Sequence, residues 1–228
     1  MAWRLGRFGW QCGTVLWLGS SLVAGALPVA AQEQAGAAVL HEQPVLVVDP
    51  GMHTTIIKRA DVDRAGRFAV TGSDDKTLRL WALGAAPELI KTIRVPAGAG
   101  NVGKVFAVAM SPDGALVAAG GWTRWTQADR QDQIYLFDRT GRMVRRLDGL
   151  PGVVLHLAFS PDGRYLAAGL SGGNGIRVYD RERGWAEAAR DTDYGDRVNG
   201  LAFAADGRLA STSYDGHVRL YDADFRQV

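Results

Sequence analysis

A four-residue turn ending in glycine recurs along this chain, and its period leaves few folds open. It stands at Asp63-Arg64-Ala65-Gly66, Ser111-Pro112-Asp113-Gly114, Ser160-Pro161-Asp162-Gly163 and Ala204-Ala205-Asp206-Gly207, with closing glycines 48, 49 and 44 residues apart. Three of the four close on Asp-Gly, a strong hairpin signal because glycine supplies the positive φ that such turns need. An alternating segment precedes each turn: Ile57 to Val62, Val105 to Met110, Val154 to Phe159 and Val198 to Phe203. A strand of small residues follows, and then a third ending in an aromatic, at Trp81, Phe137, Tyr179 and Tyr221. The connections Leu89 to Val95, Met143 to Leu147 and Trp185 to Arg190 offer a fourth strand. The period is two throughout and no window sustains a helical period, so the sequence predicts an all-β chain of repeated antiparallel units.

Composition agrees with one folded, turn-rich body. Glycine takes 29 of 228 positions, well above the usual ~7%. A single cysteine rules out a disulfide framework and a cysteine-based zinc site. Arg4 and Arg7 account for the whole net charge of +2. The remainder is neutral and carries no general attraction for a nucleic acid backbone. Those arginines also form a positive start to residues 1–31. A 13-residue apolar run follows from Val15 to Leu27, broken by Pro28, with Val29-Ala30-Ala31 before Gln32. This is the pattern of a signal peptide, and the run is short for a membrane span of ~20 residues. Export to the periplasm or medium is expected. An uncleaved N-terminal anchor is the alternative, and it is the one route to a membrane. Residues 32–42 read as a linker.

Four short strands per ~45 residues make the blade of a β-propeller. The first unit resembles the WD-repeat family through Thr71-Gly72-Ser73-Asp74-Asp75-Lys76-Thr77-Leu78-Arg79-Leu80-Trp81, with His53 at the family's histidine position and Met52 replacing its glycine. The resemblance implies a hydrogen-bonded structural tetrad of His53, Thr71, Asp75 and Trp81. The fourth unit keeps Ser211 and Asp215 but carries Tyr194 and Tyr221 for the histidine and tryptophan. The second and third have Asn101 and Leu150 at the histidine position and no turn aspartate. One full tetrad is therefore expected. The propeller segment covers 43–228, with blades at approximately 53–95, 101–147, 150–190 and 194–228. An extra strand at 44–49 could complete the last blade. Family rings have seven or eight blades, so four recognisable blades predict an incomplete propeller: an open arc or part of a seven- or eight-bladed ring. A tight four-bladed ring and the pairing of two chains through open edges are the alternatives.

Several motifs imitate chemistry. Gly98-Ala99-Gly100-Asn101-Val102-Gly103 fits a phosphate-binding pattern, but that pattern needs a following helix, and a strand is expected. Gly169-Leu170-Ser171-Gly172-Gly173, near His156 and Asp180, fits a nucleophile elbow but lies between strands. Ser73-Asp74-Asp75-Lys76 sits in a turn without its companion motifs. The acids of 191–196 lack cation-loop spacing and read as a solvated loop. No catalytic residue, metal or cofactor is expected. The informative feature is an insertion, Gly121 to Gln133, between the second and third strands of the second unit. It carries Trp122, Arg124 and Trp125, residue types enriched at binding hot spots. They either engage a partner or cap a neighbouring blade. The WD-repeat resemblance puts this loop and Asp191, Asp193 and Tyr194 on the one face that usually binds partners. The expected function is a non-enzymatic, exported scaffold or sensor for a protein partner. The second and third units particularly resemble WD-repeat regions of bacterial proteins carrying a caspase-like peptidase domain, which implies a regulatory module. A propeller hydrolase or lyase with channel-lining acids is the alternative of another class.

Overall fold

The computed structural model describes residues 49–124 and 131–228. The expected signal segment, the expected linker, most of the expected strand at 44–49 and Trp125 lie outside the described residues. Within them the chain forms strands and no helix. The first sheet holds β1 (Ile57–Val62), β2 (Phe68–Ser73), β3 (Thr77–Ala82) and β4 (Glu88–Arg94). The second holds β5 (Val105–Met110), β6 (Leu116–Gly121), β7 (Asp132–Asp138) and β8 (Met143–Leu150). The third holds β9 (Val154–Phe159), β10 (Tyr165–Leu170), β11 (Ile176–Asp180) and β12 (Ala186–Asp191). The fourth holds β13 (Val198–Phe203), β14 (Leu209–Ser213) and β15 (Val218–Tyr221). Each sheet is an antiparallel meander in chain order. Past β15 the chain doubles back: Gln227 bridges to Tyr221, and Val228 N–H donates to the Leu220 carbonyl at 3.0 Å.

The recurring turns explain the hairpins. Gly66, Gly114, Gly163 and Gly207 all take positive φ, between 64° and 87°. In the two Ser-Pro-Asp-Gly turns the serine hydroxyl donates to the aspartate and accepts an N–H from beyond the turn, Leu116 at 2.9 Å and Tyr165 at 2.8 Å. In the first turn Asp63 takes the serine's place and accepts the N–H groups of Arg67 and Phe68 at 2.6 and 3.0 Å. The fourth strands depart slightly from expectation. β8 runs on to Leu150, which pairs with Asp132 and closes the second sheet rather than opening the third unit.

Sheets pack face to face in chain order, and a separate apolar cluster fills each of three interfaces. Val70, Leu78, Leu80 and Ile93 of the first sheet meet Val105, Val108, Val117 and Phe137 of the second. Ala118, Ile134 and Leu136 of the second meet Val154, Leu157 and Leu166 of the third. Ile176 and Val178 of the third meet Val198, Leu201 and Leu209 of the fourth. One detail repeats at all three. A valine at the start of each inner strand presses onto a glycine of the preceding sheet. A Cβ on Gly72 would lie 2.7 Å from Val105 and 2.6 Å from Val108. One on Gly120 would lie 2.7 Å from Val154, and one on Gly169 2.8 Å from Val198. No methyl group fits at those distances, so the glycines set how closely the sheets approach.

Candidate functional site

The first sheet carries a buried polar chain whose direction the chemistry dictates. The Trp81 indole N–H can only donate, and it reaches Thr71 Oγ1 at 3.0 Å. The Thr71 hydroxyl then gives its proton to His53 Nε2, 2.8 Å away. That leaves the proton of His53 on Nδ1, facing Asp75 Oδ2 at 2.9 Å. Asp75 also takes the Thr54 and Thr77 N–H groups, each at 3.0 Å, and the Thr77 hydroxyl at 2.6 Å. Burial pushes the Asp75 carboxyl up, but the bonds from Thr77 and His53 outweigh it and hold it below the usual carboxylate range. A hydroxyl, imidazole and carboxylate in series have the outline of a nucleophilic triad. Here the Thr71 oxygen is occupied by the indole N–H, so the arrangement ties loop to strand. The structure brings His53, Thr71, Asp75 and Trp81 together as one network.

The fourth sheet holds a counterpart built on phenols. The Tyr194 hydroxyl lies 2.6 Å from Ser211 Oγ and 2.8 Å from the Tyr221 hydroxyl, and Tyr221 donates to Asp191 Oδ2 at 2.6 Å. The Arg219 guanidinium stacks 4.0 Å from the Tyr194 ring and pairs with Asp215 at 3.0 Å. Burial, followed by the bonds to Asp191 and Tyr194, pushes the Tyr221 hydroxyl far above its ordinary range and keeps it protonated. Tyr194 is therefore buried rather than presented on a face, because its ring replaces the histidine inside the sheet. Asp191 joins the same network, while Asp193 remains exposed.

The insertion of the second sheet has a built neck. Asp132, fully buried, accepts the N–H groups of Thr123 and Arg124 at 3.0 and 3.2 Å and pairs with Arg124 Nε at 3.1 Å. The Thr123 hydroxyl donates to the Gln133 carbonyl at 3.0 Å, and Gln133 N–H returns to Thr123 Oγ1 at 2.6 Å. Trp122 is half-buried, its backbone bonded to Gly103 and Lys104, with the Arg124 guanidinium 5.8 Å from its ring centre. The sequence pointed to Trp122 and Arg124 but not to Asp132. A lone aspartate beside an alternating strand gives no local sign that it closes a loop.

An open hollow of ≈ 390 Å³ lies among the inner strands β1, β5, β9 and β13, lined in part by Arg59, Asp61, Arg64, His156, Met110 and Phe203. Its polar groups are largely spent on backbone. Asp61 Oδ2 takes the Met110 N–H at 2.8 Å, His156 Nδ1 takes the Leu201 N–H at 2.5 Å, and Arg59 Nη2 donates to the Asn199 carbonyl at 2.9 Å. Burial, with Arg59 nearby, pushes His156 down to about 4, so it stays neutral and able to accept. The motif residues do not converge. Ser171 Oγ caps the Val153 N–H at 3.0 Å, and Asp180 pairs with Arg164 at 2.8 Å. Gly98 and Val102 bond within a loop that leads to β5, not to a helix. Among the described residues no group of His, Cys, Asp or Glu is placed to hold a metal ion.

Four meandering sheets stacked face to face, inner strands about a shared hollow, are the blades of an all-β propeller repeat protein, four of them among the described residues. Residues 47–82, 141–180 and 191–222 match the family described as WD domain, G-beta repeat. Over these three stretches, 108 of its 228 residues, the chain is similar to the WD-repeat family, and its sheets have the form of that family's propeller blades. It is 29% identical over 159 residues to guanine nucleotide-binding protein subunit beta of Arabidopsis thaliana, covering 67% of this chain and 39% of that protein. It is 33% identical over 115 residues to small ribosomal subunit protein RACK1y of Oryza sativa subsp. japonica, covering 50% and 29%. It is 28% identical over 169 residues to small ribosomal subunit protein RACK1 of Caenorhabditis elegans, covering 69% and 46%. The chain thus spans less than half the length of each of these relatives.

Proposed function

We propose that this chain is a non-enzymatic interaction module that holds a protein partner on the loop between β6 and β7. The carrying observation is the Asp132 neck, which fixes the base of a long loop and sets an indole and a guanidinium, Trp122 and Arg124, side by side. A preorganised aromatic and arginine pair supplies contact area at little entropic cost. Two further facts support a binding role. Arg59, Asp61 and His156 of the hollow are engaged with backbone, and the relatives are named as subunits of larger assemblies. Asp193 contributes an exposed charge beside the fourth sheet. The residue pattern of 1–31 supports export, with cleavage before Gln32. Terminal sequencing of secreted protein would find Gln32 first, and retention of Met1 on a membrane-bound product would contradict cleavage. The resemblance of the second and third units supports a regulatory role beside a separate peptidase. The decisive test is partner capture by Trp122→Ala and Trp125→Ala proteins with unchanged thermal unfolding. A roughly tenfold or greater loss is expected, and undiminished capture would overturn the assignment.

A further inference from the structure

The three internal interfaces share one plan, and among the described residues each end of the stack presents one half of it uncovered. On the covering side, Val105, Val154 and Val198 are 0–2% exposed, while their equivalent in the first sheet, Ile57, is 52% exposed. On the receiving side, the third strands of the first three sheets present Leu78 and Leu80, Ile134 and Leu136, and Ile176 and Val178, all 0–2% exposed. Their equivalents in the fourth sheet, Val218 and Leu220, are 67% and 50% exposed. The strand registers establish these equivalences: Gly72 pairs with Arg59, Gly120 with Ala107, Gly169 with His156 and Thr212 with Gly200.

The two open faces also differ from the internal ones in matching ways. The receiving glycine is replaced by Thr212, which leans over Gly200 so closely that a Cβ there would lie 2.6 Å from its hydroxyl. The covering face compensates. Val108, Leu157 and Leu201 occupy the inner-strand position that packs toward the preceding sheet. The first sheet has Ala60 there. The side that receives is larger and the side that covers is smaller, as paired surfaces require. Arg59 reaches the Asn199 carbonyl across the hollow, but Ile57 and Leu220 are both exposed, so among the described residues the two faces do not cover each other within one molecule.

We propose that these faces meet between two copies of this chain, the first sheet of each packing on the fourth sheet of the other. Such a contact is heterologous, and two of them close a ring. The contact continues the plan of the three internal interfaces, with Ile57 and Ala60 against Thr212, Val218 and Leu220.

The test is sedimentation equilibrium of the full chain, wild type and with Ile57→Glu or Leu220→Glu. Both positions are exposed within the chain, so circular dichroism melts should match the wild type. The wild type should sediment as a dimer. Each variant should dissociate at least roughly tenfold more readily, because a carboxylate enters an apolar contact. An equimolar mixture of the two variants should partly restore association, since it retains one intact contact. A wild-type monomer throughout the concentration range would overturn the proposal. So would an Ile57→Glu dimer as tight as wild type, which would mean that fourth sheets pair with each other, or growth into open polymers.

Discussion

At the residue scale, the polar side chains of this protein work mainly as fasteners for backbone and for one another. His53 stands between Thr71 and Asp75, so its removal takes a hydrogen bond from two partly buried partners at once. His53→Ala should therefore cost about 1–3 kcal/mol in urea unfolding, while a change within 0.5 kcal/mol would show that the network is not holding the sheet. His156 makes a sharper case, because its task requires the neutral ring. The folded group is held at about 4, against ~6.5 in an unfolded chain. Between those values the unfolded chain takes up a proton that the folded chain refuses. Stability should be complete above pH ~6.5 and fall as pH drops toward 4, and His156→Ala should abolish that slope. Asp49 and Asp138 do not confuse the reading. Arg79 holds the first at about 2 and Thr140 the second at about 2, so their contributions fade at lower pH. The first tetrad was legible in the sequence because the family pattern is dense there. The role of His156 was not, because its partner lies 45 residues away on another sheet.

At the scale of strands and loops, period-two alternation and glycine turns made the sheets readable. The four inner strands begin and end where the alternation does. What stayed hidden was the packing between sheets, since a glycine in a strand of small residues reads the same whether or not a valine presses on it. The second unit shows which feature carries the architecture. It lacks a tetrad and lies largely outside the family match, yet it builds a four-stranded sheet with the same glycine contact. Gly120→Ala should accordingly cost about 1–3 kcal/mol through overpacking. Thr212→Ala, at an exposed position, should change monomer stability by about 0.5 kcal/mol or less, and equal effects at the two sites would contradict the packing argument. The loop neck offers a further test. Asp132→Ala frees the Thr123 and Arg124 N–H groups, so amide exchange at these residues should accelerate by roughly tenfold or more while β7 stays protected. Unchanged exchange would mean that the loop is held by something else.

For the whole molecule, stability and binding are divided between regions. Three apolar interfaces hold the stack, while the loop at the second sheet and the two end faces are where our proposals place partners. This follows from surface physics: each sheet has two apolar faces, and an internal sheet satisfies both by stacking. The end sheets satisfy one. The claim beneath all of this is that successive sheets are locked by one valine against one glycine. Nuclear Overhauser spectroscopy on a valine-methyl-labelled sample tests it directly. Cross-peaks should join Val105 to Gly72, Val154 to Gly120 and Val198 to Gly169. If the strands are present but those three contacts are missing, the sheets do not stack as described and the account fails.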